Sequence, residues 1–340
     1  MRVLVTGGAG FIGSHLVEAL LARGDSVAVL DDLSTGRAEN LAAVLDHPRL
    51  AFLRADVRDT ARCAACVEEA DALFHLAAHV GVRRILAHTL ESLLNNVQAT
   101  AALLEQAARR KRRVILFSSS EVYGKGRGGV LEESDDLVLG APGVARWSYG
   151  TGKALDETLA LAWHRERGLP VTVVRCFNTC GPRQTDRYGM VLPTFIRQAL
   201  GGSPLTVFGD GGQTRCFSHV GDVVRGTLML LAAPGSIGEV FNVGNDEEIA
   251  IGALAERIVA LTGSRSPIVR VPYAHALGGG FEDVRRRVPS LAKIRAFVGY
   301  EPRVGLEELL RLTIAAARAE GDEREPRTPG AALPAGGRAP

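Results

Sequence analysis

The sequence predicts an α/β protein: a doubly wound parallel sheet with a smaller C-terminal α/β lobe. Three observations carry this. A glycine-rich turn, Gly7 to Gly13, joins an apolar β run to a helical run at the N-terminus. Strand-like and helical stretches then alternate through the first half. After Pro182 the texture changes to shorter segments parted by Gly and Pro. Such alternation builds a parallel sheet with helices on both faces, and ligands collect beyond the carboxyl ends of its strands.

Residues 2–6 read as a buried strand, and 14–23 carry helical apolar spacing at Leu16, Ala19 and Leu20. Strand, glycine turn and helix in that order give the glycines a mechanism. Gly7 permits the turn, Gly10 lets a pyrophosphate approach the backbone, and Gly13 packs the helix on the strand. The helix N-terminus offers unpaired N–H groups to phosphate. A second strand, 26–30, runs into Asp31, where an acid holds the adenosine ribose hydroxyls of a Rossmann-type dinucleotide site. An acid there repels a 2′-phosphate, so NAD is expected rather than NADP. Asp32 adds to that preference and Arg37 works against it.

Further strands are expected at 50–54, 72–76, 113–118 and 171–175, with helices at 91–110 and 149–167. Asp56, Ala77, Ser119 and Asn178 fall at strand ends. Residues 1–180 are therefore read as the NAD-binding part, with a segment near 215–245 returning to it. Residues 181–312 are read as a discontinuous second lobe. From Ala319 to 340 the chain is rich in Gly, Pro, Arg and Glu and is expected to be a disordered tail.

The chain has 340 residues, 46 % hydrophobic and 23 % charged, ordinary for a soluble enzyme. A net charge of +2 gives no argument for nucleic acid or an anionic membrane. No apolar run reaches spanning length, which reads as a cytoplasmic protein. Cys63 and Cys66 have the spacing of half a metal or redox motif, without a second pair or a suitably spaced His. No metal and no structural disulfide are expected.

Tyr149 and Lys153 are four residues apart, one helical turn, and share a helix face. There the ammonium is expected to lower the phenol's pKa and make a general base. Gly150 and Gly152 stand inside the same helix, each costing about 1 kcal/mol relative to Ala, unless a close backbone approach requires them.

The motifs TGGAGFIG (6–13), DDLSTGR (31–37), HLAA (75–78), SSSEVYG (118–124), YGTGK (149–153), FNTCGPRQ (177–184) and GDGGQTRCF (209–217) occur in order. By these the chain resembles the extended short-chain dehydrogenase/reductase superfamily, specifically its NAD-dependent nucleotide-sugar epimerases, dehydratases and decarboxylases, over residues 1–312. The resemblance implies cofactor contacts from Gly7, Gly10, Phe11, Ile12, Gly13, Asp31, Asp32, Ser34, Thr35, Gly36, Asp56, Val57, Leu76, Ala77 and Ala78. It implies catalysis by Ser119, Tyr149 and Lys153, with Lys153 also on the nicotinamide ribose, and places Glu121 where relatives use an acid on the sugar. Asn178 and Arg215 are implied on the sugar diphosphate, and Val191 beside the base. For Phe208, base stacking and core packing are alternatives. Arg286 and Arg287, in the run from Arg285, are implied on the phosphates or on a sugar carboxylate. His79 either touches substrate or satisfies a backbone group.

The resemblance implies a first step that oxidises the sugar C4 hydroxyl, with NAD retained. The leading expectation is a nucleotide-sugar 4-epimerase, on a UDP-sugar. The alternatives are a decarboxylase of the UDP-glucuronate type, a 4,6-dehydratase, and a non-catalytic NAD-binding sensor. Against the dehydratase, Ser120 stands where those relatives carry Asp. Pairing into a homodimer through the helices near 91–110 and 149–167, as a four-helix bundle, is likewise implied.

Overall fold

The computed structural model describes residues 1–185, 189–273, 275 and 283–324. Strand β1 (Arg2–Thr6) leads through the glycine turn into α1 (Phe11–Ala22) and back along β2 (Ser26–Asp31). Then come β3 (Leu50–Arg54), α2 (Thr60–Glu69), β4 (Ala72–His75), α3 (Val82–Ala87), α4 (Thr89–Arg109), β5 (Arg113–Ser119), α5 (Ser148–Arg167) and β6 (Val171–Cys176). Helix α1 starts at Phe11, ahead of the expected Ser14, because Gly10 caps it and the turn closes directly into helix.

Two short strands, β7 (Thr179–Cys180) and later β10 (Ser218–His219), flank α6 (Val191–Leu200), β8 (Leu205–Phe208) and β9 (Thr214–Cys216). Helix α7 (Val220–Ala232) and β11 (Val240–Val243) follow, then β12 (Glu248–Ala250), α8 (Ile251–Thr262), β13 (Ile268–Val271), β14 (Arg286–Arg287), α9 (Ala292–Val298) and α10 (Leu306–Arg324). Helix α10 carries 319–324, the start of the expected tail; 325–340 lie outside the described residues.

The main sheet has the order β11-β6-β5-β4-β1-β2-β3, all parallel. Its strands are buried on both faces, so neighbouring residues feed different cores. Val3 and Val5 pack with Leu16 and Leu20 of α1 and Val223 of α7. Leu4 packs with Leu103 and Leu104 of α4, Ala160 of α5 and Val67 of α2. A third core joins α6, α8, α10 and β8 into the second lobe. All five thiols are free. No described helix is long and apolar enough to cross a membrane.

Candidate active site

A cleft of about 780 Å³ runs along the carboxyl ends of the main-sheet strands, between the two lobes. At one end lies the glycine turn. Gly7 has φ +72°, and a Cβ there would stand 2.7 Å from the Ala77 nitrogen. A Cβ on Gly13 would stand 2.1 Å from the Gly7 carbonyl oxygen. Neither position tolerates a side chain, so backbone N–H groups at the start of α1 face the cleft bare, as a pyrophosphate requires.

Asp31, at the end of β2, accepts hydrogen bonds from Ala9 N (2.9 Å) and Leu33 N (2.8 Å). Burial still raises its carboxyl above the ordinary value. Asp32, Ser34 and Thr35 line the cleft beside it. Gly36 lies beneath, where a Cβ would come within 3.0 Å of both Asp31 carboxylate oxygens. Phe11, Ile12, Asp56, Val57, Leu76, Ala77 and Ala78 complete this wall. A cradle closed to side chains, with an acid fixed at the end of β2, fits a dinucleotide.

At the middle of the cleft β5 ends in Ser119, whose Oγ caps the following turn by accepting from Glu121 N (3.2 Å). Its hydroxyl also faces the Tyr149 phenol and favours its ionised form. Ser118 instead turns inward to Glu157, and Ser120 lies 3.4 Å from Arg287 Nη1. Lys153 donates to the Phe117 carbonyl (3.2 Å) and pairs with Asp156 (3.3 Å). The expected lowering of the Tyr149 pKa is reversed here. Burial pushes the phenol up, and Glu121, Asp156 and Cys176 add to the rise. A sequence shows the cation one turn away but not the acids that converge from other segments.

Glu121 carries the densest charge of the site. Its Oε1 is 2.5 Å from Arg287 Nη1 and its Oε2 is 2.6 Å from Arg146 Nη1. Burial works to raise its carboxyl, but the two guanidiniums outweigh it and hold the group at about 2. Arg146 has no motif around it and was not among the expected site residues. Its one sequence signal is a position three residues before Tyr149.

Asn178 (φ +26°) reaches into the second lobe, donating to the Cys216 carbonyl at 2.7 Å, and lines the cleft with Val191, Leu192 and Pro193. Three expected substrate residues do not line it. Phe208 ends β8, with its carbonyl accepting from Gln213. Arg215 is buried and committed to the Val284 carbonyl (2.7 Å) and Asp283 (2.8 Å). Arg286 pairs with Glu248 at 2.8 Å, while Arg285 pairs with Asp210 on the surface. Neighbours on a strand point to opposite faces, so β14 sends Arg287 to the cleft and Arg286 away. His79 lines the cleft, and its backbone N–H donates to Asn96. Arg183, also unforeseen, straps the segment after β7 onto α1 through Glu18 (2.7 Å) and Ser14 (3.0 Å). Among the described residues no cluster of His, Cys, Asp and Glu has the arrangement to hold a metal.

The family model for the NAD dependent epimerase/dehydratase family matches residues 3–244. A UDP-N-acetyl-alpha-D-glucosaminuronate decarboxylase of Bacillus cytotoxicus is 40 % identical over 314 residues, covering 92 % of this chain and 96 % of the relative. The solved structure of DesIV, a dTDP-glucose 4,6-dehydratase from Streptomyces venezuelae with NAD bound, superposes with a TM-score of 0.87 at 34 % identity, over 96 % of this chain and 99 % of that one. A UDP-glucuronic acid 4-epimerase from Bacillus cereus, with UDP-glucuronic acid and NAD, gives 0.85 at 29 % identity, over 94 % and 100 %. The chain belongs to the NAD dependent epimerase/dehydratase family of nucleotide-sugar enzymes, and NAD is its cofactor.

Proposed function

We propose that the protein is a decarboxylase of a UDP-linked hexuronate, the alternative rather than the leading expectation of the sequence. The observation that carries this reading is the Arg287–Glu121–Arg146 cluster at the sugar end of the cleft. A uronate brings a carboxylate into a buried site, which is costly without a cation and a fork of donors. Neutral hexoses need neither. Arg287 lines the cleft and is the guanidinium we assign to the substrate carboxylate. The 40 % identity to a relative named as a decarboxylase of a UDP-N-acetylated hexuronate supports the same choice.

Bound NAD supplies the hydride acceptor for C4 and returns the hydride at the end of the cycle. In its ionised form Tyr149 takes the C4 hydroxyl proton while Ser119 holds the same oxygen by hydrogen bond. The 4-ketone makes the C5 carboxylate a β-keto acid. The bond from C5 to the carboxylate carbon then breaks, carbon dioxide leaves, and the electron pair passes to the C4 oxygen, where Ser119 and Tyr149 stabilise it. A proton from solvent water then adds at C5 and restores the ketone for reduction, in which Tyr149 returns its proton to the C4 oxygen. Glu121, held ionised near neutral pH, is not the proton donor; it orients Arg287 and Arg146. Asn178 and the α6 N-terminus at Val191 meet the diphosphate and base. We place the subunit contact of a homodimer on the outer faces of α4 and α5.

Incubation with UDP-glucuronate, UDP-N-acetylglucosaminuronate, UDP-glucose and dTDP-glucose, read by mass spectrometry, tests the reading. Loss of carbon dioxide from a uronate is expected. An isomer of unchanged mass, loss of water, or bound NAD with no turnover at all would each replace it.

A further inference from the structure

Asp156 is an acid the proposed chemistry does not use, yet it sits directly beside it. It is fully buried on α5, three residues after Lys153, with Oδ2 at 3.3 Å from the ammonium. Neither carboxylate oxygen meets a donor at full hydrogen-bond geometry; Lys153 and the Thr100 hydroxyl are the donors that face it.

Behind Thr100 a buried chain continues. The Thr100 hydroxyl lies 3.1 Å from His75 Nε2, and His75 Nδ1 lies 2.7 Å from the Thr6 hydroxyl. The Thr6 oxygen accepts from Ala77 N at 3.4 Å. One assignment of protons satisfies the chain. Thr6 donates to Nδ1, Nε2–H donates to Thr100, and Thr100 turns its proton to Asp156. The imidazole is then neutral, in keeping with burial and Lys153, which push His75 down to about 3. The donors run in one direction, and the last of them faces the Asp156 carboxylate.

We propose that Asp156 is a positioning residue that fixes the Lys153 ammonium against the Phe117 carbonyl and balances its charge beneath Tyr149. Lys153 therefore does not act as an uncompensated cation. The charged or titratable groups facing this pair are Glu157 on α5, His75 on β4, Cys176 on β6 and the Tyr149 phenol, on which Glu121 also acts. Of these, Asp156 and Glu121 are the two acids that oppose ionisation of the phenol. Removing the Asp156 charge leaves Lys153 less compensated and makes the tyrosinate available at lower pH.

This rests on Tyr149 being the base. The test is the ultraviolet tyrosinate titration of the protein minus that of Tyr149→Phe, made in the wild type and in Asp156→Asn. It is paired with the acid limb of the pH–rate profile. The isosteric Asn should move both midpoints down by about one pH unit. Thr100→Val, which removes one facing donor and leaves the ion pair, should move them the same way by a smaller step. Unmoved or raised midpoints in folded variants overturn the role of Asp156. Full turnover by Tyr149→Phe would instead overturn the base itself.

Discussion

A Cβ placed on Gly150 would stand 2.4 Å from the backbone carbonyl oxygen of Glu121. The glycine that looks like a weakness in α5 is thus the contact that brings the turn bearing Glu121 down onto the helix bearing Tyr149. Overpacking against backbone costs about 1–3 kcal/mol, more than the roughly 1 kcal/mol of helix propensity that Ala returns. Gly150→Ala should lower the melting temperature and cut kcat at least tenfold by displacing Ser119 and Glu121. Gly152 is the internal control, since its Cβ would meet only the end of Leu93, at 3.2 Å. Gly152→Ala should stay within about 1 kcal/mol of wild type, by denaturant titration.

The Glu121 carboxyl falls from an ordinary 4.5 to about 2 in the folded protein. A depressed acid contributes stability that is present above its unfolded pKa and lost as pH falls through the folded one. The difference in thermal stability between wild type and Glu121→Gln should therefore be constant above about pH 5 and change between about 4.5 and 2, with wild type losing ground. A difference that does not vary with pH contradicts the ionised assignment.

Arg287→Met leaves Glu121 with one guanidinium and removes the cation assigned to the substrate carboxylate. Turnover of a UDP-hexuronate should fall at least a hundredfold, since stranding buried charge costs about 3 kcal/mol or more. Binding of UDP, followed by calorimetry, should change less than threefold. Equal losses for both would place Arg287 on the diphosphate.

Asp31 is fixed by two backbone N–H groups and backed by Gly36. Asp31→Ala should weaken NAD at least tenfold and narrow its advantage over NADP, because ribose hydrogen bonds and repulsion of the 2′-phosphate vanish together. Fluorescence titration of stripped protein with both cofactors checks this.

Leu90 and Leu94 on α4 and Leu155 on α5 are 72 %, 48 % and 45 % exposed on neighbouring helices. In a dimer that pairs these faces they are covered. Light scattering should give twice the monomer mass, and Leu155→Glu should shift it toward one chain at micromolar concentration.

Much of the site was legible because its signals are local. A strand, a glycine turn and a helix state their geometry within a dozen residues, and one helical turn fixes Tyr149 relative to Lys153. What sequence could not show was which distant groups converge on them. Glu121 and Arg287 are 166 residues apart, and Arg146 belongs to no pattern. A motif match also assigns a stretch, not a face: Arg286 and Arg287 were equal candidates until β14 divided them. The direction of the Tyr149 shift failed for the same reason, since burial and the approach of Glu121 and Asp156 are tertiary facts.

The return of β11 to the main sheet has a practical meaning. The chain passes between the lobes after β6, β10, β11, β14 and α9, and the first three passages are neighbours: β7 pairs with β10, and β11 with β6. A fragment ending near residue 180 would lack its outermost strand and show water the bare edge of β6. The second lobe cannot be grafted onto a relative as a single length of chain. As units of expression and of exchange, the two lobes are one object.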